Sequence, residues 1–248
     1  GGGGRGASGG RESEGTGSAA LIPSQRHWFD SPDGIAYCSC AWQAPLSLRV
    51  IAAGGSGLRA KGRPWKIAPE DFFTGPEAAR AGFARLIGAA ADDVAIVPAA
   101  SYGVSLAANN LPLGAGRRVL VLAEQFPSNI YPWRELAAAN GGEILTVARP
   151  GDGDWTRAIL AELDDRVAIA APPHCHSTDG GLIDPDAACR PCRHARPSLA
   201  LDAPQSPTAL PLPAPPLQPP LPIPSSYPRL PGPSPLGVPS FAPLAPRR

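Results

Sequence analysis

Four polar clusters carry the side chains that could do chemistry in this chain: Ala99–Gly103 (AASYG), Glu124–Asn129 (EQFPSN), His174–Asp179 (HCHSTD) and Asp202–Ser206 (DAPQS). Ser101, Tyr102 and Gly103 stand where a short β-branched run, Val94–Val97, gives way to helical spacing over Val104–Leu111. A strand–turn–helix of this kind gathers unpartnered N–H groups and the positive end of a helix dipole at one point, which suits an anion. On local evidence alone, Ser101 reads first as an ordinary helix cap. His174, His176, Cys189, Cys192 and His194 offer nitrogen and sulfur ligands, and Cys189-Arg-Pro-Cys192 has metal-site spacing. The second CxxC of a zinc site is missing, and Cys38-x-Cys40 is too tight and too distant to replace it. Ordinary free thiols are the favoured reading of the cysteines, and both histidines upstream read as rim structure ahead of ligands.

These clusters need a frame to bring them together, and the hydrophobic pattern supplies one. Arg118–Ala123 (RVLVLA) is apolar at successive positions, as in a strand buried on both faces. Glu143–Val147, Val167–Ala171 and Leu199–Asp202 repeat the signal, and Asn129–Asn140, Trp155–Leu163 and Asp184–Arg196 between them have helical spacing. Upstream, Leu46–Ala60 reads as a helix weakened by Gly54, Gly55 and Gly57, Arg63–Phe73 as an aromatic-rich loop, and Pro76–Gly88 as a helix stopped by its glycine. Strands and helices in alternation predict a mostly parallel α/β sheet covered on both faces. Each polar cluster follows a strand, so all four fall on the carboxyl rim, where ligands bind in such sheets.

The flanks differ. Gly1–Gln25 is Gly/Ser/Glu-rich and reads as a disordered tail before a domain over residues 26–206. Of the 33 prolines, 18 lie in Pro197–Arg248, and residues 207–248 read as an irregular, proline-rich remnant with no regular sheet beyond Leu199–Asp202. A net charge of +1 gives no electrostatic footprint for nucleic acid or an anionic membrane, and no apolar run is long enough to span one. Five cysteines and no secretory signal predict reduced thiols and a cytoplasmic setting. Methionine is absent even at position 1, so the chain reads as a fragment, and its basic residues are arginines except for Lys61 and Lys66.

The runs FFTGPEAARAGFARLIG, ASYG, EQFPSNIYPW, HCHSTDGG and LALDAPQS, in this order over about His27–Gln205, resemble the class V aminotransferase family. That family, with cysteine desulfurases, selenocysteine lyases, kynureninase and isopenicillin-epimerase-like proteins, binds pyridoxal 5'-phosphate on the large domain of a fold-type-I transferase. The resemblance implies that Ser101, Tyr102 and Gly103 hold the phosphate, and that Asp202 pairs with the pyridine nitrogen so that the ring accepts electrons. It implies that Gln205 and Thr178 lie beside the ring hydroxyl and that Phe126 stacks on the ring. Asp202 as a turn residue and Phe126 as core are the bland alternatives. An amino-acid substrate, transamination or Cβ–S/Se cleavage, and a homodimer with shared sites are further implications.

One departure cuts across this. The family ends its next strand in Ser-x-(His/Tyr)-Lys, whose lysine forms the Schiff base, followed by a Gly-Pro turn. This chain has Ser225-Ser-Tyr-Pro-Arg-Leu-Pro-Gly-Pro233, so Ser225 and Tyr227 keep the pattern while Pro228 occupies the lysine position. Proline offers no amine nucleophile, and no lysine follows Lys66. The expectation is a truncated, inactive family copy. The competing functions are a non-catalytic remnant and a proline-rich interaction protein, whose Pro219-Pro-Leu-Pro222 and Pro243–Arg248 have the form of WW and SH3 ligands.

Overall fold

The computed structural model describes residues 23–185, 187–188, 198–203, 210 and 220–223. Five strands, β1 (Arg118–Leu122), β2 (Glu143–Val147), β3 (Val167–Ala170), β4 (Ser198–Asp202) and β5 (Pro220–Ile223), form one sheet in the order β2-β1-β3-β4-β5. Every neighbouring pair is parallel. The α/β sheet read from the sequence is thus the one observed.

Alternation along the central strands explains why RVLVL is apolar throughout. Val119 and Val121 join Ile169 and Ala200 on one face, under Val104 and Ala107 of α3 (Ala100–Asn110) and Trp133 and Ala137 of α4 (Tyr131–Asn140). Leu120 and Leu122 turn to the other face with Val147 and Val167, against Trp155 and Ile159 of α5 (Trp155–Glu162) and Ile183. Each of these large side chains contributes roughly 1.5–3 kcal/mol by leaving water. The turn from α4 into β2 is made by Gly141, whose φ of +64° favours glycine and whose N–H closes on Ala137 O.

Several boundaries differ from the sequence reading. Val94–Val97 forms no strand: both valines are buried but make only single bridge positions. Arg80 holds this segment, donating to Val94 O and Ala91 O at 2.7 Å each from α2 (Asp71–Ile87). That helix starts five residues before Pro76, which costs a single hydrogen bond one turn in, and so it absorbs the end of the aromatic loop. The other helix of this region is α1 (Leu48–Lys61), capped by the Ser47 side chain at Val50 N–H.

The proline-rich region also supplies a strand, contrary to the expectation of no sheet there. β5 pairs with β4 in the register Leu199↔Pro220 to Asp202↔Ile223. Its prolines fall at alternate positions, so their missing N–H groups share one edge and Leu221 and Ile223 keep donors for the other. Residues 1–22, residue 186 and residues 189–197 with the end of the expected helix, residues 204–209, and the tail apart from residue 210 and β5 lie outside the described residues.

Candidate functional site

Because the strands are parallel, the segments that follow β1, β3 and β4 emerge at one rim. Over this rim α3 packs against β4, β5 and the 3-10 turn Pro127–Asn129. The helix begins at Ala100 rather than Val104, so Ser101 sits within its first turn and makes no cap. The N-cap is Ala99, an extended residue (φ −158°, ψ 161°) whose carbonyl accepts the N–H groups of Tyr102 and Gly103 at 3.1 and 3.3 Å. The N–H groups of Ala100 and Ser101 have no partner among the described residues. Ser101 and Tyr102 are exposed, while Gly103 is buried against the core. The helix end therefore offers donors and a hydroxyl to solvent, as anion binding requires.

Asp202 ends β4 with its backbone tied on both sides: its N–H donates to Pro172 O (3.1 Å) and its carbonyl accepts from His174 N–H (2.8 Å). The side chain is buried, and Oδ1 has no hydrogen-bond partner among the described residues. Burial alone pushes its carboxyl up to about 7. A carboxylate in that state lacks a cationic partner, since an adjacent positive charge would hold it low. His174 beside it is also buried, with Nδ1 unpartnered among the described residues; burial lowers its imidazole, and the Asp184 charge opposes that only in part.

The segment after β1 separates into structural and presented residues. Gln125 accepts from Leu122 N–H (2.9 Å) and donates to Ala171 O (3.0 Å), clamping the ends of β1 and β3. Asn129 donates to the same carbonyl at 3.1 Å and accepts from the Trp133 indole at 3.0 Å. Between them Phe126 is 59 % exposed, which rules out its reading as core. Neither Gln125 nor Asn129 was among the residues singled out in the sequence. Their only signal is an amide in a rim loop, which does not distinguish a clamp from a ligand contact.

The residues 174–183 form a hairpin, closed by His176 N–H on Gly181 O (2.8 Å) and Ile183 N–H on His174 O (3.0 Å). His176 is buried, stacked on Trp155 at 4.6 Å, with Nε2 3.0 Å from Ala123 O. Its Nδ1 is 3.1 Å from Asp179 Oδ1 without the alignment of a hydrogen bond. Asp179 also accepts from Gly181 N–H and the Trp155 indole and pairs with Arg149. Burial raises its carboxyl, but these donors, with the charges of His176 and Arg149, outweigh that and leave it lowered. Gly181 has no room for a side chain: a Cβ would meet Trp155 Cδ1 at 2.5 Å. Thr178 spends its hydroxyl proton on Glu124 O at 3.0 Å. Gln205, Ser225, Tyr227 and Pro228, like Cys189, Cys192 and His194, lie outside the described residues. No helix of the described residues is long and apolar enough to cross a membrane.

The fold is shared with solved structures. The cysteine desulfurase CsdA of Escherichia coli superposes with a TM-score of 0.69 at 15% identity, over 88% of this chain and 57% of its own. A mutant of C-DES with glycine covalently linked to its PLP cofactor superposes with a TM-score of 0.75 at 15% identity, over 88% of this chain and 60% of its own. The fold is therefore that of a fold-type-I transferase, in part. The sequence profile of aminotransferase class-V matches residues 66–214. An uncharacterized aminotransferase of Bacillus subtilis (strain 168), YcbU, is 30% identical over 178 residues, which are 71% of this chain and 46% of that protein. The chain belongs to the class V aminotransferase family, and it spans about half the length of this relative.

Proposed function

We propose that this chain carries the cofactor-holding rim of a pyridoxal-phosphate-dependent class V enzyme and holds the cofactor without a covalent tether, and hence without turnover. One observation carries the reading: a buried carboxylate, Asp202, whose Oδ1 has no hydrogen-bond partner among the described residues, on a strand packed against α3, whose first N–H groups likewise have no partner among them. The residues fit the binding half of the task. The N–H groups of Ala100 and Ser101, with the Ser101 hydroxyl, suit the phosphate, and the exposed Phe126 offers a flat apolar face to the ring. Asp202 gains the cation it lacks from a protonated pyridine nitrogen, and ionisation then costs less. When bound, the cofactor supplies an electron sink for carbanion chemistry on an amino acid.

The tethering half does not fit. β5 pairs with the Asp202 strand, and position 228, where the resemblance puts the Schiff-base lysine, is proline. Without an amine there, the usual proton carrier at the substrate α-carbon is also lost, a role worth roughly 10²–10⁴-fold in rate. Within the family reading, the substrate is an amino acid, the chemistry transamination or Cβ–S/Se cleavage, and the assembly a homodimer.

The test is titration of the chain with pyridoxal 5'-phosphate, followed by dialysis, borohydride reduction and mass spectrometry. Saturable binding that dialyses away and is weakened by Asp202→Asn is expected. A reduced adduct mapping to the C-terminal half would overturn the absence of a tether, and no saturable binding would overturn the reading as a whole. Pro228→Lys alone should not restore activity, because Pro224, Pro231 and Pro235 still constrain the backbone around it. Of the proline-ligand alternative's two motifs, Pro220–Pro222 lies in β5.

A further inference from the structure

The hairpin 174–183 touches both walls of the rim. On one side it continues the sheet beside Asp202 through His174 N–H on Asp202 O (2.8 Å). On the other, two of its side chains reach the loop after β1: His176 Nε2 lies 3.0 Å from Ala123 O, and Thr178 Oγ1 donates to Glu124 O at 3.0 Å. A carbonyl only accepts, so Nε2 carries the proton in the first contact. Among the described residues, Glu124 is the non-glycine with a positive φ, +56°. Such a conformation persists only where its surroundings hold it. The two captured carbonyls flank its α-carbon, and Phe126 follows two residues on.

We propose that His176 is a positioning residue: from a buried ring it captures Ala123 O, fixes the left-handed turn at Glu124, and thereby sets where Phe126 stands relative to Asp202. Thr178 is the second, weaker tie of the same brace. That the brace places a cofactor wall rests on the function proposed above; the brace itself does not. Simple core packing makes a different prediction, because phenylalanine would stack on Trp155 as well as the imidazole does.

Hydrogen–deuterium exchange of the full chain without cofactor separates the two. His176→Phe keeps the stack and removes the donor; it should speed exchange across residues 123–130 about tenfold, the worth of one buried hydrogen bond, and leave the centres of β1 and β3 unchanged. His176→Gln, which retains a terminal N–H donor, should return that segment to within about twofold of the parent. No change in His176→Phe, an equal rise throughout the sheet, or failure of glutamine to rescue would each overturn the proposal. Should His176→Phe not fold, Thr178→Val decides: it removes an exposed hydroxyl bond only, and unchanged exchange over 124–130 would overturn the brace. In the same set, binding of pyridoxal 5'-phosphate should weaken with phenylalanine and recover with glutamine. A parent chain that binds no cofactor sinks the proposed function, while the exchange result still decides this one.

Discussion

Helices α4 and α1 are built from similar local signals and meet different fates. α4 enters behind Pro132, stops at Gly141 and buries Trp133 and Ala137 against the sheet. α1 is properly capped by Ser47, yet none of its 14 residues is buried, and Leu48, Ile51 and Leu58 are exposed. α2 is intermediate, burying only Phe83, Ala84 and Ile87 at its end. Capping and spacing thus suffice to write a helix, but an isolated helix of this length is marginal in water. Stability comes from the faces the sheet offers, filled by α3 and α4 on one side and by α5 on the other.

Substitutions can break or sharpen this contrast. The largest effect should come from Trp133→Ala, which empties a fully buried site and strands the Asn129 side chain. A loss of about 3–5 kcal/mol in urea unfolding is expected, and a loss below 1 kcal/mol would undo the claim that the sheet face carries the fold. Asp202→Asn should act in the opposite direction and only at high pH. The folded chain keeps this proton up to about 7, well above the unfolded carboxyl, so the group's contribution is complete below about 4 and is lost as pH rises to 7. The variant should therefore gain on the order of 3 kcal/mol over the parent at pH 8 without cofactor and differ little at pH 4. Equal stabilities at pH 8 would show that the carboxylate has a partner. Gly181→Ala drives a methyl into Trp155 and should cost roughly 1–2 kcal/mol, read as a fall in Tm; an unchanged Tm would mean that the hairpin yields. Leu58→Ala, on the exposed helix, should stay within about 0.5 kcal/mol of the parent. A larger loss would show that α1 has a partner in solution.

What the sequence disclosed follows the same division. RVLVL and EILTV announce their strands because burial on two faces, or pairing beside such a strand, leaves a local mark. Asp202 is legible by its place at the end of an apolar strand, but its orphaned oxygen depends on what surrounds it in space. The β-branched run Val94–Val97 misleads because its order comes from Arg80, fourteen residues before Val94. The start of α3 is missed since ASYG has turn-like composition, and only the extended Ala99 defines the boundary. The contacts of Gln125, Asn129 and His176 are not legible beforehand, each side chain being fixed by a carbonyl more than forty residues away. β5 is hidden by its prolines, although their alternate spacing is compatible with an edge strand.

That spacing has a consequence for self-association. An outermost strand ordinarily presents a row of N–H and C=O groups that another chain can extend, and long flat edges of this kind seed aggregates. In β5 the positions facing away from β4 are Pro220 and Pro222, which have carbonyls but no donors. A strand arriving from solution would find half of its hydrogen bonds unavailable. Among the described residues this edge is unpaired, and the prolines that disqualify the segment as an ordinary strand also leave it without donors for a neighbour.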